Sequence, residues 1–194
     1  MIEHCFTTRA GKDKENEDCF RTVSADGVDV FVLTDGMGGR SRGAEAAHIV
    51  AEAVCGYPWD REDVESCIAE SLCNADSSLR RRSEEMHCKM GCAVGCLVIA
   101  DGEIFYAGLG DVRLYIRGVA GDYKQVSTDD VLVGKDGQTF LSKSIRGRGV
   151  RLPIQTIVMK PDDIFQMRLC TDGYYRNDEM DDATVVDVTL PLAF

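Results

Sequence analysis

The chain opens with short runs of β-branched and aromatic residues broken by turn-forming ones. Residues 2 to 8 and 18 to 24 flank a Gly11-Lys12-Asp13-Lys14 turn, and Val28 to Leu33 is an almost unbroken apolar run. Period-2 and continuous apolar runs of this length predict three strands. The pattern then changes. Arg42 to Val54 carries Ala44, Ala46, Ala47, Ile49, Val50, Ala51, Ala53 and Val54 after a glycine loop, a composition that favours a buried helix. Beyond Tyr57-Pro58-Trp59, the residues Val64, Cys67, Ile68, Ser71, Leu72, Ala75 and Leu79 recur at three- and four-residue spacing. They predict a second helix, capped by Asp60 and ending near Arg80 to Arg82.

From Cys92 onward the period returns to that of strands. Cys92 to Ala100, Glu103 to Ala107, Val112 to Ile116 and Tyr123 to Val126 are separated by Asp-Gly or glycine-containing turns and predict an antiparallel meander. Residues 128 to 149 hold Gly134, Gly137, Gly147 and Gly149 among polar residues and read as a loop, the most mobile part of the chain. Leu152 to Met159, Ile164 to Cys170 and Thr184 to Leu190 predict three further strands. Strands, then two long helices, then strands again, without regular βαβ alternation, predict an α+β fold with helices packed outside antiparallel sheets.

Composition narrows the classes. At 194 residues the chain is expected to form one domain spanning 1–194. No apolar run approaches the roughly 18 residues of a membrane span, and Met1 to Lys14 lacks the apolar segment of a secretory signal, so a soluble, cytoplasmic protein is expected. A net charge of −11 argues against nucleic acid and anionic membranes as partners. The nine cysteines include no CxxC pair, and several lie within apolar runs, which reads as reduced, buried thiols. Cys88, Cys92 and Cys96 would align on a helix as zinc ligands, but their surroundings predict a strand.

Several carboxylates interrupt hydrophobic strands, where solvated surface charge has no reason to sit. Leu33-Thr34-Asp35-Gly36, Leu109-Gly110-Asp111 and Cys170-Thr171-Asp172-Gly173 each put an Asp at a strand exit beside glycine. Any one alone is a turn, as Asp101-Gly102 reads. Repetition suggests convergence on one point, and clustered carboxylates repel unless cations lie among them. Oxygen donors without His or Cys suit Mg²⁺ or Mn²⁺, and the three histidines, His4, His48 and His87, fall in none of these motifs. Two such ions serve phosphate ester hydrolysis.

In order along the chain, Asn16-Glu17-Asp18, Val32 to Gly39 with Gly43 to Ala47, Gly108 to Arg113, Leu169 to Gly173 and Asp181 to Val186 resemble the five motifs of the metal-dependent type 2C (PPM) serine/threonine protein phosphatases, especially compact bacterial members. The resemblance implies a four-layer α/β/β/α sandwich of two antiparallel β-sheets flanked by helices, with a reduced flap and missing C-terminal helices. It implies hydrolysis of phosphoserine and phosphothreonine in proteins by a metal-activated bridging water, in opposition to a Ser/Thr kinase, on a monomeric enzyme. Asp35 would bridge two Mn²⁺ or Mg²⁺ ions, the Gly36 carbonyl would ligate one, Asp172 and Asp181 would hold one metal, and Glu17 and Asp18 would orient waters at the other. Asp35, Asp172 and Asp181 thereby carry catalysis, and Asp111 would help bind a third, weaker ion. Met37 stands where some eukaryotic relatives carry a candidate acid histidine, so no histidine receives a proton-transfer role.

Departures accompany the match. Asp13 occupies the position of the family's phosphate-contacting arginine, leaving Lys12 or Lys14 as replacements, each a point charge without a bidentate fork. Asp182 replaces an asparagine, and Asp172 and Asp181 are only a short loop apart. The competing expectation is a catalytically impaired module that binds metal and phosphoprotein or a partner without turnover. A nucleotide loop at Gly36 to Gly43 is disfavoured because GxxxxGK[ST] is absent.

Overall fold

A computed structural model describes residues 2–37, 42–150, 154, 156–161 and 163–191; Gly38 and Gly39 of the glycine loop and the Leu152 end of one expected strand lie outside them. The chain runs β1 (Glu3–Arg9), β2 (Asp18–Ala25), β3 (Val28–Gly36), α1 (Gly43–Cys55), α2 (Val64–Glu85), β4 (Cys92–Ala100), β5 (Glu103–Leu109), β6 (Arg113–Arg117) and β7 (Lys124–Gln125). It continues through β8 (Val131–Val133), β9 (Thr139–Leu141), β10 (Thr156–Met159), β11 (Gln166–Cys170), α3 (Asp172–Tyr175) and β12 (Ala183–Thr189).

Two five-stranded antiparallel sheets, ordered β1-β12-β11-β6-β7 and β10-β5-β4-β3-β2, stack face to face. Phe31, Leu33, Leu97, Leu114, Met167, Leu169, Val186 and Val188 fill the space between them. The hairpins β2–β3 and β4–β5 turn at Asp26-Gly27 and Asp101-Gly102, all four residues having positive φ, as a two-residue turn with right-handed strand twist requires. Every residue of β4 is buried, because it lies between the second sheet on one face and the helices on the other. That explains its continuous apolar run, including Cys92 and Cys96.

Both long helices cover the β4-containing sheet. Ala46, Ala47, Val50, Ala51 and Val54 of α1 bury one small-residue face, which lets the helix approach β2 and β3 closely. The buried positions of α2 are the seven periodic ones with Asp76 added. Asp63, not Asp60, caps α2 by accepting from the Ser66 N–H at 3.3 Å. The Asp60 carboxylate instead accepts from the Glu62 N–H at 2.9 Å, closing a turn before the helix.

On the outer face of the β1-containing sheet, the four-residue α3 is the helix that the described residues place by β12. This is the architecture expected when the C-terminal helices are missing, with the second helical layer reduced to α3. The face is accordingly polar: Arg168 pairs with Asp187 in a fork at 2.7 Å twice over, and the Arg168 guanidinium stacks on Tyr123 at 4.2 Å. Residues 128 to 149 are more structured than expected, since β8 and β9 form a two-stranded hairpin. All nine cysteines are free thiols.

Candidate active site

Asp18 and Asp35 face each other across the β2–β3 ladder, and Asp35 ends a strand that is paired on both sides. Asp172 opens α3 directly after β11, Asp181 precedes β12, and Asp111 follows β5. The topology therefore brings strand ends from both sheets to one rim. Asp35, Gly36, Asp111, Asp172 and Asp181 all line one cleft of about 520 Å³. The β8–β9 hairpin supplies part of its wall through Val131, Thr139, Phe140 and Leu141.

Two glycines make the crowding possible. A methyl at Gly36 would collide with the backbone of Gly43 and Glu17, and one at Gly173 with the backbone carbonyl of Asp182. The second close approach holds Asp181 and Asp182 against the start of α3.

The remaining acids divide their roles. Asp18 Oδ2 accepts from the hydroxyls of Thr171 at 2.9 Å and Thr184 at 2.6 Å, whereas its Oδ1 is buried with no hydrogen-bond partner. Glu17 accepts through its carboxylate from the N–H groups of Gly43 and Ala44. It thus serves as the N-terminal cap that Arg42, left-handed at φ 74°, does not supply to α1.

Asp182 turns away from the ion-holding role. Its Oδ1 accepts from the Gly11 N–H at 2.8 Å and its Oδ2 from the Glu17 N–H at 2.9 Å, tying the β1–β2 turn to β12. An asparagine offers a single acceptor oxygen, so the acid at this position satisfies both amides at once.

Lys14, expected to meet phosphate, has its ammonium 2.7 Å from Asp181 and 3.1 Å from Asp182. Lys12 is exposed, and neither lysine lines the cleft. Asp13 is exposed in a left-handed turn. The cations that do line the cleft are Arg146 and Arg176. Arg176 lies 2.7 Å from Asp172 and 3.8 Å from Asp111, and Arg146 donates to Ser144 Oγ at 2.6 Å. Neither belongs to a motif, and both enter the site only through tertiary folding: Arg176 from the end of α3, Arg146 from the segment after β9.

The electrostatics follow from this enclosure. Burial, reinforced by Asp18, Asp172, Asp111 and Asp181, holds the Asp35 carboxyl well above the usual carboxylate range. Burial also pushes Asp18 up to about 6 against the two threonine hydroxyls, and Asp172 up to about 6 with Asp111 and Asp181 adding to it. Asp111 is raised chiefly by burial, with Arg176 opposing. At Asp181 burial again works upward, but the hydrogen bond and charge of Lys14 prevail and the net shift is down.

A family model described as protein phosphatase 2C matches residues 7–192. The chain belongs to the protein phosphatase 2C family. No curated protein sequence matches it. Among solved structures, the serine/threonine phosphatase Stp1 from Staphylococcus aureus is 17% identical, with 99% of this chain and 96% of that one covered at a TM-score of 0.86. The Mycobacterium tuberculosis phosphatase PstP/Ppp is 18% identical, with 98% and 99% covered at 0.81. The catalytic domain of PstP in complex with two manganese ions is 17% identical, with 97% of each chain covered at 0.76.

Protein phosphatase 2C enzymes depend on metal, and the donor set here fits hard cations. The carboxylates and the Gly36 carbonyl are oxygen donors, and Asp18 Oδ1 is a buried acceptor lacking a donor. Among the described residues no three His, Cys, Asp or Glu side chains enclose an ion unaided. Hard cations such as Mg²⁺ keep several waters and need few protein ligands.

Proposed function

We propose that this protein phosphatase 2C domain hydrolyses phosphoserine and phosphothreonine esters in proteins, using two hydrated Mn²⁺ or Mg²⁺ ions held around Asp35. The observation that carries the reading is the convergence of Asp18, Asp35, Asp111, Asp172 and Asp181 at one rim, with burial raising the pKa of four of them and neighbouring carboxylates adding to the shift. Such a cluster is charged at neutral pH only at a cost that divalent cations relieve. The two manganese ions of the structurally similar PstP domain support the same number here.

Bound ions of this kind acidify water and neutralise phosphoryl oxygens. The chain supplies the remaining parts. Asp35 and the Gly36 carbonyl would hold the ions together with Asp172, Asp181 and Asp18, the last with its orientation fixed by Thr171 and Thr184. Glu17 sets Asp18 indirectly, by pinning the start of α1 beside Gly36. Lys14 and Arg176 hold Asp181 and Asp172 in place until ions arrive.

The substrate of such a reaction is made by a Ser/Thr kinase, which is the partner activity this reading implies, in the cytoplasm. No described helix is long and apolar enough to cross a membrane.

The test is hydrolysis of p-nitrophenyl phosphate and of a phosphothreonine peptide, with Mn²⁺ or Mg²⁺ against EDTA, by wild type and Asp35→Asn. Metal-dependent turnover lost by at least a hundredfold in the variant is expected, in line with removal of a group acting on the reacting centre. Metal binding without turnover would instead establish the impaired module, and wild type no faster than Asp35→Asn would sink the catalytic reading.

A further inference from the structure

A second cavity, of about 330 Å³, shares Arg146 with the cleft. Arg80, His87, Lys89 and Arg148 line it with Arg146, against one acid, Glu84. The contrast with the rest of the molecule is sharp, since 33 acidic residues outnumber 22 basic ones over the whole chain. Most arginines near the cleft are committed to carboxylates, including Arg113 to Asp129 and Arg176 to Asp172. The side chains of Lys89 and Arg148 have no hydrogen-bond or ion-pair partner among the described residues.

The cavity wall is built and not loose. Asp76, buried on α2, accepts at Oδ1 from the N–H groups of Arg146, Gly147 and Arg148 at 3.3, 2.7 and 3.3 Å, and at Oδ2 from Gly149 at 2.7 Å. Arg80 Nε donates to the Gly147 carbonyl at 2.9 Å. Gly147, at φ +68°, lies so close to the α2 backbone at Arg80 that a methyl there would collide with it. The loop bearing Arg146 and Arg148 is thus clamped to α2. A loop backbone held in place before a ligand arrives spares the cost of ordering the main chain, leaving only the side chains to be ordered on binding. Met37 and Arg146 both pack close over Gly91, where a methyl would meet each of them, and Arg146 lines the cleft and the cavity alike.

Resting on the phosphatase reading, we propose that this cavity is a second anion site that selects substrates: it takes a carboxylate or a second phosphate on the phosphoprotein, close in sequence to the phosphoresidue being hydrolysed. An acidic protein otherwise repels an acidic substrate segment, and a local excess of positive charge beside the cleft, with Lys89 and Arg148 uncommitted to any carboxylate among the described residues, reverses that for segments presented in one direction. Free inorganic phosphate has the same recognition chemistry, but the shared Arg146 places the cavity where a substrate chain leaving the cleft would meet it.

The experiment compares two phosphothreonine peptides, one flanked by Glu and one by Gln at the same positions, on the full chain with Mn²⁺. A kcat/KM about tenfold higher for the Glu peptide is expected, carried by KM and shrinking with added salt. In the double variant Lys89→Glu/Arg148→Glu the ratio should fall to about one or invert. Equal values for the two peptides in wild type, or a preference that the double variant retains, would overturn the proposal. So would a phosphate titration followed by calorimetry in which the double variant loses a phosphate site while wild type shows no peptide preference, because the cavity would then serve the free anion. If p-nitrophenyl phosphate is not hydrolysed at all, the phosphatase reading fails separately. The two peptides' affinities, read by fluorescence anisotropy with Mn²⁺ present, still decide whether the cavity selects acidic segments.

Discussion

At the scale of single residues, the site is governed by which carboxylates keep a free oxygen. Asp182 spends both oxygens on amides, Glu17 spends its carboxylate on α1, and Asp18 keeps one buried oxygen unpaired. Arg176 adds a fixed positive charge between Asp172 and Asp111, the latter being the acid to which the family resemblance gives a third ion. A guanidinium there neutralises the pair without a metal, and it is always charged. The expected consequence is a stoichiometry of two Mn²⁺ per chain for wild type by equilibrium dialysis, with a third, weaker ion appearing in Arg176→Met and lost again in Arg176→Met/Asp111→Asn. Three ions on wild type would show that the guanidinium swings away. The role of Arg176 was not legible in the sequence, because a basic residue four positions past Asp172 is indistinguishable from surface charge until α3 folds it back over the acids. Asp35, Asp111 and Asp172 were legible because each stands at a strand exit beside a glycine and strand ends of stacked sheets share a rim, whereas Asp18 and Asp181, at strand entries without a neighbouring glycine, were found through the family resemblance.

At the scale of elements, apolar runs and Asp-Gly turns predicted β3, β4, β5, β11 and β12 well because these strands are buried on at least one face, and burial is what makes a run or an alternation visible; β1, exposed at every position, was found from its β-branched and aromatic composition instead. Where burial is weak, the signal fades. β8 and β9 are three-residue strands with Leu132, Val133 and Phe140 exposed, and they pass for loop in sequence although they wall the cleft. Helix starts are ambiguous for another reason. Asp60 and Asp63 are equally good caps in sequence, and only the chain path decides which carboxylate meets an amide of the first turn. Asp76 is the most consequential residue of this kind, a polar position inside the apolar stripe of α2. Its four amide contacts attach the 146–149 loop, and through it Arg146, to the helix. Removing a buried carboxylate leaves those donors unsatisfied, so Asp76→Ala should lose about 3 kcal/mol in urea denaturation, the range for breaking a buried hydrogen-bond network. Deuterium exchange should rise at residues 146–149 well before global unfolding. Unchanged protection in that loop would show that Gly147 packing alone holds it.

At the scale of the whole molecule, folding and ion binding draw on the same carboxylates. In the ion-free protein Asp18 and Asp172 titrate near 6, against a reference carboxylate value of 3.8. A raised folded value means that the fold binds more protons than the unfolded chain between those limits, so these groups favour the fold at low pH and weaken it as pH rises through about 6. Asp181 and Glu45 shift the other way, and their contribution is already complete above the usual carboxylate range. Melting temperature in EDTA is therefore expected to fall between pH 5 and pH 7. Divalent ions bind the deprotonated carboxylates and displace those protons, so the gain in melting temperature on adding Mn²⁺ should widen over the same interval. For a domain of this size each kcal/mol corresponds to about 2–4 °C, large enough to resolve by differential scanning fluorimetry. Asp172→Asn, which removes one of the two groups titrating near 6, should flatten both slopes. A gain from Mn²⁺ that stays constant from pH 5 to pH 7 would mean that the ions are held by groups already ionised at pH 5, and the raised carboxylates would then lie outside the ion site.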